Sequence, residues 1–498
     1  MPKAVLFYNT NMPSIILICF TLYTATLFVV TRFANQSTTN SNEAYFRANR
    51  KSPWFVVAYG GIGATMSGVT FMSVPGYVQI SAFTYFGVIL GNMVGFLVVS
   101  FVLLPLYYKL NLTSIYVCLN QRFGYLTQRT GSLFFFVSRL LGSALRMYLV
   151  VYVLYEFVFK AMNIPFWVPA VVFVVIILLY TLRGGLRVVV WTDTLQTTFM
   201  LTATLLTIYI ILRTVDLSFL DFLKTSSAEG YTKLIETNWK ASNFFGKQLF
   251  SGIFLTIALN GLDQDMIQKN LSCRTLKDAQ KNVFVLSLSM IVVNLLFLTL
   301  GAALLYYAKE TGFLLPDNPD SFFPAIAFRI SNVTMILFII GLLAAGYSSA
   351  DGTLTALTTV VCYDFFGFAN NGMTEKRKTI IRKIVHLICA SLFLCVIIIF
   401  RPFHDESLIK TIFDIAALSY GPLLGLFGFG LFTKWTIKSK YEKLVPVIAV
   451  LAPIICYFLK MYSTQLFNGY MIGFELLIIN GLLTFIGLRF ISQQGINN

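Results

Sequence analysis

Residues 63–75 read GATMSGVTFMSVP and fall in the middle of the chain's second long apolar run. Thr65, Ser67, Thr70 and Ser73 supply hydroxyls, Gly63 and Gly68 loosen the backbone, and Pro75 removes a donor. A segment that only had to cross lipid needs none of them. In hydrocarbon every backbone N–H and C=O must be paired, and non-helical backbone persists only where protein or water covers it. A helix interrupted at that depth is how secondary transporters hold a solute or a cation. The competing reading is a kinked helix packed on a neighbour through small residues, and the rest of the chain decides between them.

Composition sets the solvent. The 498 residues have mean hydropathy +0.76, 57% hydrophobic and only 12% charged, which a water-soluble chain could not hide. An all-α polytopic membrane protein is therefore expected. The first apolar run, Pro13 to Val30, is long enough to span and has no small-residue cleavage site after it, so no cleavable signal is expected. The net charge of +16 reads as the positive-inside bias and not as nucleic-acid binding. Seven cysteines, scattered and without a CxxC pair, read as small core residues.

Runs of about twenty apolar residues predict thirteen spans, near residues 12–33, 54–80, 84–108, 131–160, 165–183, 188–213, 246–268, 282–308, 321–364, 380–402, 408–432, 444–461 and 468–491. The ninth is too long for one crossing, which predicts a re-entrant or interfacial helix around Ser321 to Ile330. Base collects after every odd-numbered span, as with Arg47, Arg50 and Lys51, or Lys269, Arg274 and Lys277. Alternate loops are poorer in base or balanced by acid, as with Glu310, Asp317 and Asp320, or Asp405 and Glu406. The N-terminus is then outside and the C-terminus cytoplasmic. The loop from Thr214 to Asn243 is external and, with its scattered aromatics, is expected to be an ordered cap; no soluble domain is expected.

Ionisable groups at membrane depth are costly and usually functional. They are Arg139, Arg146 and Glu156 in the fourth span, Asp193 in VVVWTDTLQ, Asp263 and Asp265 in LNGLDQDMIQ, Asp351 in LLAAGYSSADGTL, then Asp414 and Glu475. His386 is read as an interfacial residue near a helix end. Arg139 and Arg146 are seven apart and share a helical face. Either one pairs structurally with Glu156 or Asp193, or one is a guanidinium clamp for a solute carboxylate. Ala345, Ser348 and Ser349 lie at i, i+3 and i+4; two hydroxyls and a carbonyl suit a hard cation such as Na⁺, and small-residue packing is the alternative. The seventh span is also broken, at Asn260-Gly261, and two corresponding breaks five spans apart mark an inverted repeat of five plus five.

These residues carry a resemblance. EAYFRANRKSPWF, the first broken span, TSIYVCLNQRFG, RGGLRVVVWTDTLQ, GLDQDMIQKNL and AAGYSSADGTL, in that order, resemble the sodium/solute symporter family over nearly the whole chain. The resemblance implies a LeuT-type core of repeats 54–213 and 246–432, with one extra helix before it (12–33) and two after (444–491). It implies a Na⁺ site at Gly63, Met66, Ala345, Ser348 and Ser349. Asp193 resembles a carboxylate that forms or couples to a second cation position, here with Ser348 and Asp351. The TFMS-x-P run is most similar to the sialic-acid branch of the family. By that similarity Thr65, Ser67 and Thr70 face the solute, with Asn92, Thr256 and an arginine, Arg146 ahead of Arg139, completing the site.

Two departures matter. Sialic-acid members with a second sodium have further serines where this chain reads Asp351-Gly352, which keeps a carboxylate and loses a hydroxyl. Family sugar transporters place an aromatic gate near the position of Leu259, which argues against a plain glucose or galactose transporter. The expected protein is a Na⁺-coupled symporter of a small organic solute, a sialic acid or related sugar acid first. It works as a monomer in the lipid bilayer of the plasma (inner) membrane. Other sugars, monocarboxylates or amino acids, and H⁺ in place of Na⁺, are the alternatives, and a transporter-like sensor is more remote. An enzyme is not expected, since there is no HExxH, no Cys/His cluster and only two histidines.

Overall fold

A computed structural model describes residues 12–35, 42–316, 318–369, 372–401 and 408–494. Asp317, Asp405 and Glu406 lie outside them. Among the described residues nine helices are long and apolar enough to cross a membrane. A tenth crossing is the pair Trp54–Thr65 and Thr70–Ser81, bent by 55°. Shorter apolar helices occupy Trp167–Leu182 and Leu476–Phe490. A further interrupted pair, Phe245–Thr256 and Gln264–Leu271, lies where the seventh span is expected. The break between the fifth and sixth spans falls at Gly185, whose φ of 53° a Cβ would strain and whose Cβ position is 2.5 Å from the Tyr45 carbonyl.

The first break is built by its own sequence. The helix Trp54–Thr65 stops at Met66, whose backbone is extended, and the next helix starts at Gly68 with Ser67 as cap, accepting from the Thr70 N–H. Among the described residues no hydrogen bond reaches the carbonyls of Gly63 or Met66. Such unpaired helix-end carbonyls are what a cation can use. In the second break Ile257–Gly261 widens into a π turn and Asp263 caps Gln264–Leu271, accepting from the N–H groups of Asp265 and Met266. Here protein donors meet the freed carbonyls: Tyr107 donates to Gly261 at 2.9 Å and Tyr116 to Leu262 at 2.8 Å. Each of Tyr107→Phe and Tyr116→Phe is expected to cost about 1–3 kcal/mol, seen as a lower unfolding temperature of the purified protein.

The helix Asn332–Val360 runs through the centre, and every residue from Gly341 to Val360 is buried. It packs on the long helix Trp167–Thr214, on Tyr125–Leu154 and on the first broken pair. The expected helix before it is present at Phe322–Ile330, buried against its neighbours. In the loop from Thr214 to Asn243, expected to be external, Phe219–Ala228 is helical, capped by Ser218. The loop's later part is pinned by Lys247, whose ammonium donates to the Ala241 and Met471 carbonyls at 3.1 Å. One small element was not foreseen: Trp435–Ile437 pairs antiparallel with Ser492–Gln494. All seven cysteines are free thiols.

Three expectations are corrected. His386 is not interfacial: it is fully buried, with Nδ1 near the hydroxyls of Tyr45 (3.3 Å) and Thr358 (2.8 Å) and Nε2 near Thr181 (2.9 Å). A hydropathy profile cannot see three hydroxyls arriving from three separate helices. Glu156 pairs with Lys160, one turn on, and not with an arginine. Lys269, counted above as a loop base, is buried inside Gln264–Leu271 and ion-paired there.

Candidate functional site

Around the two breaks lies a cavity with about 110 Å³ of water-accessible space. Thr65, Ser67, Thr70, Asn92, Arg139, Arg146 and Thr256, the whole expected solute set, line it, and so does Met66. They come from five helical segments and the first break. Asn92 and Thr256 face each other across two closely packed helices, the Asn92 amide nitrogen 2.9 Å from the hydroxyl and 3.0 Å from the Gly252 carbonyl. Sequence reading did not single out Tyr85, Met290 and Asn294 on the same wall. For Asn294 the signal was there: it is the one amide in an apolar run, VVNLLFL.

The two arginines differ in what already holds them. Arg139 is 5% exposed and fully engaged: Nη1 lies 3.3 Å from Asp263, Nη2 bonds Asp265, and Nε donates to Thr353 at 3.0 Å. Asp263 also accepts from Tyr420 at 2.6 Å. The expected partners, Glu156 and Asp193, are therefore not those of Arg139. Arg146, half-buried one heptad further, faces the cavity, and among the described residues no carboxylate pairs with it.

The expected cation residues gather one layer away. Ser348 donates to Asp193 at 2.5 Å, so its lone pairs remain open. The Gly63 N–H donates to Thr197 at 2.9 Å, and that hydroxyl bonds the Asp193 carbonyl at 2.8 Å. Gly63 and Ser348 are thus both anchored to the helix turn that carries Asp193. Ser143 donates to the Ser349 carbonyl at 2.7 Å and lies 3.4 Å from its hydroxyl. Ala345 is buried one turn before Ser349. Asp351, in contrast, is surrounded by protein donors: Tyr180 at 3.0 Å, Thr192 at 3.1 Å and the Gly352 N–H at 2.6 Å.

Gly352 is required by a close approach. A Cβ there would lie 2.5 Å from Asp265 Oδ1, so the glycine admits the Asp265 carboxylate against the central helix. Gly352→Ala is expected to cost about 1–3 kcal/mol by overpacking and to lower the unfolding temperature. No group of three or more His, Cys, Asp or Glu suited to a transition metal exists among the described residues.

Two broken helices around a polar cavity, with a carbonyl-and-hydroxyl layer beside it, define a secondary transporter of the inverted-repeat class. A sequence profile of the sodium:solute symporter family matches residues 45–439, and the chain belongs to that family. It is 25% identical over 454 residues to a sodium/sialic acid symporter, NanT, of Aliivibrio fischeri, covering 89% of this chain and 88% of that protein. To the sodium/sialic acid symporter SiaT of Proteus mirabilis it is 25% identical over 453 residues, 88% of each chain. A substrate-bound, outward-open structure of a Na⁺-coupled sialic acid symporter superposes with TM-score 0.81 at 20% identity, covering 97% of this chain and 99% of that one. The fold is therefore the LeuT-type one, and the chain is a multi-pass membrane symporter that couples a small solute to Na⁺.

Proposed function

We propose that the co-transported solute is a sialic acid or a closely related sugar acid. The observation that supports this most is Arg146: a guanidinium with no carboxylate partner among the described residues, on the wall of a cavity otherwise rich in hydroxyls and amides. A guanidinium fork fits a carboxylate. Thr65, Ser67, Thr70, Asn92 and Thr256 suit the hydroxyls of a polyol chain. Arg139, held by two aspartates, orders the wall and does not take the solute carboxylate. The similarity to the two sodium/sialic acid symporters points the same way.

Na⁺ is cargo in this cycle, not a resident cofactor. Its ligands are the carbonyls of Gly63, Met66 and Ala345 and the hydroxyls of Ser348 and Ser349. Asp193 accepts the hydrogen bond of the Ser348 hydroxyl, which leaves the lone pairs of that oxygen free for the ion. Bound Na⁺ ties the first break to the central helix, orders Thr65 to Thr70 for the solute, and favours the outward-open state. Loading of solute permits the two broken helices to rock against the scaffold, and Na⁺ leaves to the cytoplasm. Thirteen spans, repeats at 54–213 and 246–432, an external N-terminus, a cytoplasmic C-terminus, a plasma (inner) membrane location and a monomeric working unit complete the reading.

Thermal-shift measurements with sialic acids, neutral sugars, monocarboxylates and amino acids, each in NaCl and in KCl, test the solute. Na⁺-dependent stabilisation by sialic acids is expected. Stabilisation by neutral sugars or amino acids alone contradicts the assignment.

A further inference from the structure

We propose that the ammonium of Lys269 is a built-in cation at the Asp193 carboxylate, filling the place of a second Na⁺, so that this chain carries one Na⁺ per cycle. The inference rests on the sodium ligands assigned above and concerns their neighbour. Lys269 is 4% exposed, and its Nζ lies 2.9 Å from Asp193 Oδ2 and 3.3 Å from Asp265 Oδ1. Asp193 therefore has one oxygen on the Ser348 hydroxyl and the other on an ammonium of the same chain.

A mobile cation at this carboxylate would meet a fixed unit charge at contact distance. At about 4 Å, with the effective dielectric of a partly buried site, that repulsion lowers affinity about a thousandfold. The remaining candidate oxygens are also committed. Asp351 accepts from Tyr180, Thr192 and the Gly352 N–H. Where a serine hydroxyl could point at an ion, Gly352 has no side chain, and the Asp265 carboxylate occupies that side of the helix. The carboxylate it admits is the one that holds Lys269 in place.

The arrangement also bears on gating. Lys269 sits on the second broken helix and Asp193 on the long helix of the scaffold, so the pair bridges two bodies that have to move relative to one another. A tethered cation neutralises Asp193 without leaving the protein, whereas the Na⁺ at Ser349 is free to depart.

Equilibrium binding of ²²Na⁺ to purified protein reads the number of ions directly. Wild type is expected to hold one Na⁺ per chain. Lys269→Met, which strips Asp193 of its counter-charge, is expected to hold two, of which one survives Ser349→Ala. Two ions on wild type, or one on a folded Lys269→Met protein, overturns the proposal. Should Lys269→Met not fold, Lys269→Gln, which removes the charge and keeps a polar group against the carboxylates, takes its place: two ions support the tethered cation, and one overturns it. Failure of the underlying site assignment looks different, with ²²Na⁺ binding to wild type that is indifferent to Ser349→Ala.

Discussion

Uptake of an anionic solute is expected to fall about ten- to a hundredfold in Arg146→Gln, mainly through a higher half-saturation concentration, as one charge-assisted hydrogen-bond pair is lost. Arg146 is half-buried on the cavity wall, and no carboxylate among the described residues holds it. On the proposed reading its charge is open to the solute. Arg146→Lys is expected to recover only part of the loss, because an ammonium cannot form the two parallel bonds of the guanidinium fork. Arg139→Gln is a control with a different signature. It leaves Asp263 and Asp265 buried with one cation fewer, so the expected result is about 3–5 kcal/mol of lost stability and little folded protein. Concentration-dependent uptake of radiolabelled solute, beside thermal unfolding of each variant, separates the two. Equal unfolding temperatures with equal uptake for Arg146→Gln and wild type would remove the clamp.

The second large effect is on the ion. Ser348→Ala and Ser349→Ala each remove one of the two hydroxyls of the proposed sodium ligand set, leaving the other hydroxyl and the backbone carbonyls. Each is expected to raise the Na⁺ concentration for half-maximal uptake by about tenfold or more, ~1.4 kcal/mol of ion binding. The Ser348 variant also strands an Asp193 oxygen that its hydroxyl now satisfies at 2.5 Å, so it should lose some stability as well. Ser349 has a weaker partner, its hydroxyl lying 3.4 Å from that of Ser143. Its loss should act on Na⁺ dependence with stability nearly unchanged. Unaltered Na⁺ dependence in both variants would mean that the cation binds elsewhere.

Much of this was legible because membrane depth makes polar residues conspicuous. GATMSGVTFMSVP in an apolar run admitted few readings, and the break stands at Met66. The solute set came from a resemblance, yet all seven side chains line one cavity. What stayed hidden depends on pairing across the bundle. Whether Arg139 or Arg146 is the open cation turns on Asp263 and Asp265, 124 and 126 residues further along the chain. Lys269 looked like the first base of a loop because it follows the apolar stretch directly. Only the geometry places it 2.9 Å from Asp193 on another helix. His386 was misread for the same reason: a lone imidazole in a hydrophobic helix carries no mark of its three hydroxyl neighbours. Periodicity locates spans; it does not reveal which buried charges neutralise one another.

Uptake of radiolabelled N-acetylneuraminate into proteoliposomes, with an inward Na⁺ gradient against an equal K⁺ gradient at constant pH, tests the central claim most directly. Accumulation above equilibrium with Na⁺, abolished by K⁺ and sharply reduced in Ser349→Ala, is the predicted result. Equal accumulation under both gradients, or accumulation driven by a pH gradient without Na⁺, would contradict it.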